Sequence, residues 1–190
     1  MISELLEGNR SYRRFEEGVK IPDCLFADMA NALRFSASAA NLQKIRLLFV
    51  KDEEECLRVF KTLRFAGYLK EWNGPREGER PAAYAVLLSE DEPGNMQWID
   101  VGIAAQSMLL VAREGGFGGC MLASFTEEAL MKALSLDGYH PLLVIALGKP
   151  SETVRISNVE NGDIKYYRNE GDEHIVPKRP LDEILIRPIS

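Results

Sequence analysis

Three dense apolar runs, at residues 45–50, 84–89 and 142–147, constrain the fold of this chain more than any other feature. Each has strand length and is too short for a buried helix. Between them the spacing turns helical. Residues 52–63 put Cys56, Val59, Phe60 and Leu63 on one face. Residues 98–115 carry Ile99, Gly102, Ile103, Gln106, Leu109, Leu110 and Arg113, and Gly115 and Gly116 stop that helix. Further helices are expected over 2–7, over 25–35 (after Pro22, with Asp23 as the cap) and over 127–134, with a short strand at 120–123. No glycine-rich turn follows the first strand, so neither a dinucleotide fingerprint nor a P-loop is present there. Phosphate recognition in such a chain has to use side chains.

A chain of 190 residues is long enough for one domain with a real core and short for two, so residues 1–190 are expected to form one domain. The net charge of -6 carries no basic stripe, which argues against a nucleic-acid partner. A small anionic cofactor needs only a local cluster of cations. The longest apolar stretches, 103–112 and 142–147, fall well short of the roughly 20 residues of a membrane span. The N-terminus has no basic n-region, so no secretory signal is expected. Cys24, Cys56 and Cys120 are scattered and odd in number, which suits reduced thiols in a cytoplasm better than disulfides or zinc.

The stretch 151–190 is polar and extended and has few periodic elements. Ile175, Val176, Leu181, Ile184, Leu185 and Ile186 give it apolar spots that continue over 181–189. A segment of this kind is expected to drape over something, and a partner subunit is the natural surface. Residues 72–81 read as a loop or lid.

Four clusters could carry chemistry. Arg10, Ser11, Arg13 and Arg14 supply forked donors with a hydroxyl between them, a set suited to phosphate; it also suits a solvated helix end. Residues 36–43 hold Ser38, Ala39, Asn41 and Gln43, small or amide-bearing groups that would fit the edge of a flat ring, or would simply cap a loop. Residues 115–125 run from glycines into a strand with Met121, Leu122, Ala123 and Ser124, either a ligand-facing edge or a core strand. Lys178 and Arg179 sit between prolines in extended geometry, as a phosphate clamp or an exposed basic spot. His140 and His174 lie far apart with no triad-like partners in view.

Taken in order, these clusters resemble the nitroreductase family over residues 8–187. Asn9-Arg10-Ser11-Tyr12-Arg13-Arg14-Phe15 is similar to that family's Arg-Arg-Ser-x-Arg-x-Phe opening, departing at Asn9. Ser38, Ala39, Asn41 and Gln43 match its Ala-Pro-Ser-Ala-x-Asn-x-Gln-Pro segment, with Ala37 and Lys44 in place of the prolines. Residues 100–106 resemble its central helix. Residues 118–125 resemble the Gly-Gly-Cys-Met-Ile-Gly-Ala-Phe segment of one bacterial branch, and Pro177-Lys178-Arg179 with Leu181-Asp182-Glu183 is similar to that branch's C-terminal signature.

The resemblance implies an α+β fold with a central, mostly antiparallel sheet flanked by helices. It implies an intertwined homodimer whose C-terminal extension, 151–190, packs on the partner, and FMN held between the subunits. Carried over, Arg10, Ser11 and Arg13 would meet the phosphate, ribityl chain and pyrimidine side, and Lys178 and Arg179 would complete the phosphate site. Ser38, Ala39, Asn41 and Gln43 would line the ring, and Met121, Leu122, Ala123 and Ser124 would lie against it. NADH or NADPH would donate hydride, and a small planar acceptor such as a nitroaromatic or quinone would then take it in ping-pong order. A flavin sensor or store without turnover, or a specialised enone reductase or dehalogenase, stays open on the same scaffold. The segment 65–80, with Tyr68 and Trp72, is expected to wall the substrate pocket.

Overall fold

A computed structural model describes residues 1–187. Ile189, the last of the tail's apolar spots, lies outside the described residues. The three apolar runs become β1 (Arg46–Val50), β2 (Ala83–Ser89) and β4 (His140–Gly148), joined by β3 (Gly118–Leu122). They form a four-stranded sheet in the order β1-β2-β4-β3, antiparallel at every pairing. The α+β expectation therefore holds.

Strand alternation sorts the core into two layers. Ala83, Ala85, Leu87, Ile145 and Leu147 face α2 (Asp23–Phe35) and α4 (Asn95–Glu114), where they meet Met29, Val101, Ala105 and Met108. Tyr84, Val86, Leu88, Val144 and Ala146 face α3 (Glu53–Phe60) and α5 (Glu127–Leu134), where they meet Val59, Leu130 and Leu134. Every residue of β2 is buried, which explains why its sequence shows no polar alternation. Pro141, opposite Leu88, lacks a ladder N–H, and the register shifts there by a bulge between Leu87 and Leu88.

Several expected boundaries move, two helix starts among them. Asp23 is the first residue of α2 and not its cap; Pro22 holds that position, and the Asp23 carboxylate accepts from Lys51 at 2.8 Å. The helix expected from Trp98 begins at Asn95, just after Gly94. The tail departs more. Far from lacking periodic structure, it forms a second sheet of β5 (Val154–Asn158), β6 (Tyr167–Arg168) and β7 (His174–Lys178), with β7 central and parallel to β5. Ile175 is buried within its own chain, whereas Leu181, Ile184 and Ile186 stand exposed around the short α6 (Leu181–Ile184). Ile156, Ile164 and Tyr167 in the tail are exposed as well.

Among the described residues, no helix is long and apolar enough to cross a membrane, and no cluster of His, Cys, Asp and Glu could hold a metal ion. The three cysteines are unpaired.

Candidate functional site

The basic N-terminal segment lies extended along the edge of β3. Ser11 bridges Gly119 in parallel, and the Tyr12 N–H donates to the Gly119 carbonyl at 3.0 Å. Gly119 has no alternative here, since a Cβ would stand 2.3 Å from the Ala146 carbonyl oxygen. Four residues on, Phe15 bridges Pro150, and the Glu16 N–H donates to the Lys149 carbonyl at 2.8 Å. The Tyr12 and Phe15 side chains sink into the core. Arg10, Ser11 and Arg13 are left along a rim.

The second sheet supplies the opposite wall. Alternate residues of β7 share a face, and His174, Val176 and Lys178 all line one cavity of about 350 Å³. Asn9, Arg10, Ser11 and Arg13 enter it from the N-terminal segment, Gln106 and Leu109 from α4, Met121 from β3, and Tyr166 from the residue just before β6. Three cations line this cavity and no carboxylate does. Arg10 donates from Nη2 to the Leu6 carbonyl at 2.8 Å, but its Nε is buried without a partner, as are Arg13 Nε and Asn9 Oδ1. An unmatched buried donor costs about 1–3 kcal/mol. A phosphate dianion would accept from the Arg10 and Arg13 guanidiniums with charge-assisted bonds, whereas Asn9 Oδ1 is an acceptor and would need a donor.

Arg13 is itself held on several sides. The Glu152 carboxylate, 2% exposed, accepts the backbone N–H of Arg13, accepts that of Arg14 at 3.1 Å, and pairs with Arg168. Arg13 Nη1 donates to the Ser11 carbonyl at 3.2 Å and lies 3.2 Å from His174 Nε2. Its guanidinium sits 4.7 Å from the centre of the Tyr166 ring, which in turn packs on His174 at 5.1 Å and on Tyr68 at 4.9 Å. Burial, and then the neighbouring Arg13 charge, push the His174 imidazole down to about 4, so it is neutral at neutral pH.

The other cluster is separate on a single chain. Ser38 and Gln43 line a second cavity of about 220 Å³ beside Arg34 and Asp100. Asp100, buried on α4, accepts from Ser38 Oγ at 2.7 Å and from the Ala39 N–H at 3.0 Å, while Ser38 Oγ accepts the Gln43 N–H at 3.0 Å. These bonds hold Ala40, Asn41 and Gln43 at φ values of 49°, 55° and 50°, in the left-handed region that side chains disfavour. Ala39 and Asn41 belong to the one-turn 3-10 helix Ala39–Asn41 and line neither cavity.

The expected site residues therefore divide. Arg10, Ser11, Arg13, Met121 and Lys178 come together; Ser38 and Gln43 sit in the second cavity. The Leu122 side chain points away from Met121 into the core, because neighbours on a strand face opposite ways. Ala123 and Ser124 lie past the end of β3 and are exposed. Arg179 lies past the end of β7. One residue beyond Lys178, it leaves the cavity and pairs with Glu183 at 2.8 Å. Tyr68 and Trp72 line neither cavity, and Trp72 is clasped between the Arg14 and Arg168 guanidiniums at 5.8 and 5.5 Å. Tyr166, His174, Gln106 and Asn9 are lining residues that sequence reasoning passed over. A period-two count back from Lys178 would have found Val176 and His174.

A model of the nitroreductase family matches residues 6–149. No curated protein sequence matches the chain. Among solved structures, the chain is similar to a nitroreductase in complex with FMN from Desulfovibrio desulfuricans, at 20% identity and a TM-score of 0.73, covering 100% of this chain and 97% of that one. It is similar to an NAD(P)H:FMN oxidoreductase from Staphylococcus epidermidis, at 17% identity and a TM-score of 0.70, covering 100% and 96%. An FMN-dependent nitroreductase from Clostridium difficile aligns at 20% identity and a TM-score of 0.64, covering 80% and 88%. At such identities the likeness is one of fold.

Proposed function

This chain belongs to the nitroreductase family, and from that premise we propose that it is an FMN-dependent oxidoreductase that takes hydride from NADH or NADPH and passes it to small planar acceptors such as nitroaromatics or quinones. The observation that carries the reading is the cavity where Arg10, Ser11, Arg13 and Lys178 converge from the two ends of the chain, with buried arginine donors unmatched and no lining carboxylate. Lys178 and Arg10 would neutralise the phosphate with the Ser11 hydroxyl between them, while Arg13 would face the pyrimidine side of the ring. Bound FMN would supply the two-electron chemistry. Met121 and Leu109 give the cavity an apolar flank that excludes water from one side.

The protein acts as a homodimer on this reading. Met96, Trp98, Ile99 and Ile103 on α4, with Phe35 and Leu42 nearby in sequence to the Ser38–Gln43 loop, are all large and exposed. A patch of that kind marks an interaction surface. A second copy would cover it and could bring its own Ser38–Gln43 loop to the first cavity, which explains why the two clusters are separate on one chain. The unpaired cysteines suit a cytoplasmic setting, and residues 1–190 act as one domain.

The test is anaerobic stopped-flow mixing of purified, FMN-loaded protein with excess NADH and, separately, NADPH. Bleaching of the flavin, reversed by an added quinone, is the expected result. Uptake of FMN without bleaching by either nucleotide within minutes would leave a binding protein and remove the oxidoreductase reading.

A further inference from the structure

Arg13 and His174 are 161 positions apart in sequence, yet Arg13 Nη1 lies 3.2 Å from His174 Nε2 in the wall of the cationic cavity. An arginine side chain has donors and no acceptor. His174 Nε2 must therefore accept, which fixes the ring as the neutral tautomer with its proton on Nδ1. That Nδ1–H is buried without a partner, in a residue 1% exposed. A phenyl ring would stack on Tyr166 equally well and would bury no unmatched N–H. Packing thus gives no reason for an imidazole here, and the Nε2 lone pair does.

We propose that His174 is a positioning residue for the cofactor, its Nε2 lone pair holding the Arg13 guanidinium in the direction from which it meets FMN. The proposal rests on the FMN reading above and extends it to a strand outside the residues 6–149 that the family model matches. The other contacts leave Arg13 little freedom. Tyr166 covers one face of the guanidinium, the Ser11 carbonyl shares Nη1, and Glu152 holds the backbone N–H. Arg13 Nε stays unmatched. The charged groups around the ring are Arg13, Arg14 and Arg168 on one side of the balance and Glu152 on the other. A protonated His174 would set two cations against each other, so the arrangement works only with the neutral ring.

The test begins with the unaltered protein without ligand. Long-range 1H–15N NMR of histidine-labelled protein at neutral pH should show His174 as the Nδ1–H tautomer, with no titration down to about pH 5. An Nε2–H tautomer, or a ring that titrates near the ordinary histidine value, overturns the proposal and leaves the FMN reading standing. FMN affinity and the midpoint potential of the bound flavin are then compared for the unaltered protein, His174→Gln and His174→Phe. Gln can accept from Arg13 and Phe cannot. His174→Phe should bind FMN about tenfold more weakly, at the lower end for one charge-assisted bond, and shift the potential to more negative values. His174→Gln should recover most of both. Equal affinity and potential in all three proteins overturn the proposal. Uptake of no FMN by the unaltered protein overturns the functional reading, and with it the ligand named here, while the tautomer still decides the Arg13–His174 contact. The NMR measurement needs no variant, so a variant that does not fold gives the proposal no shelter.

Discussion

The Glu152 carboxylate accepts the backbone N–H of Arg14 at 3.1 Å across 138 positions of sequence. The same carboxylate holds the Arg13 N–H and pairs with Arg168, itself only 13% exposed at its side chain. One buried acid thus ties the basic segment to the tail sheet. Glu152→Gln keeps the shape and removes the charge, leaving Asp172, at 3.5 Å, as the carboxylate beside Arg168. Breaking a buried pair from one side costs about 3–5 kcal/mol, and the remaining aspartate puts this case at about 3. Urea unfolding should show that loss. A change below about 1 kcal/mol would mean that Glu152 is not the tie described.

Arg10→Ala should weaken FMN binding by roughly 10- to 150-fold, as expected for one buried charge-assisted contact of about 1.5–3 kcal/mol. Arg179→Ala is the contrasting variant. Its side chain lies outside the cavity and pairs with Glu183, so FMN affinity should change by less than about twofold. Fluorescence titration measures both. Equal losses in the two variants would return Arg179 to the site.

His174 gives a pH signature with a definite sign. Its folded value of about 4 lies below the ordinary 6.5, because burial and then Arg13 disfavour the charged ring, with Arg168 and Arg14 adding to Arg13 and Glu152 opposing it. Below about 6.5 the unfolded chain binds a proton that the folded chain refuses, so stability falls as the pH drops from about 6.5 towards 4. At about 1.4 kcal/mol per pH unit, the loss between neutral pH and about 4.5 is roughly 2–3 kcal/mol. His174→Phe lacks it. The stability of the unaltered protein relative to that variant should therefore fall by this amount over the same interval, as read from urea unfolding at each pH. A constant difference would show that the ring titrates normally.

Ile99→Glu places a charge in the exposed apolar face of α4, where Ile99 is 54% exposed. In an isolated chain this substitution is nearly neutral. In the proposed dimer it buries an unpaired carboxylate. Sedimentation velocity should show a folded monomer, and the FMN content should fall with the dimer. A variant that remains dimeric would move the interface elsewhere.

The sheet was legible in the sequence because β2 and β4 are buried on both faces and therefore read as unbroken apolar runs. The N-terminal half of the site was legible because cations are conspicuous in an acidic chain. The tail sheet was not. Its strands mix polar and apolar residues, and β6 has only Tyr167 and Arg168, so no period stands out. Leu122 parts from Met121 because a motif names neighbours while a strand sends neighbours to opposite faces, and Arg179 parts from Lys178 because β7 ends between them. His174 was passed over because its partner, Arg13, is distant in sequence and is no classical companion of a histidine. Asp100 was visible inside the helix, but nothing local showed that it would hold Ser38 and Ala39.

The bridge between Phe15 and Pro150, and the strand that carries His174 and Lys178 behind it, have a consequence for how the protein is made. A polypeptide emerges from the ribosome with its N-terminus first. Arg10, Ser11 and Arg13 are made first, and His174 in the wall opposite them appears 161 positions after Arg13. A nascent chain can fold the sheet from β1 to β4 and still have no closed pocket. Loading with a small molecule at this site is therefore an event that follows the synthesis of β7.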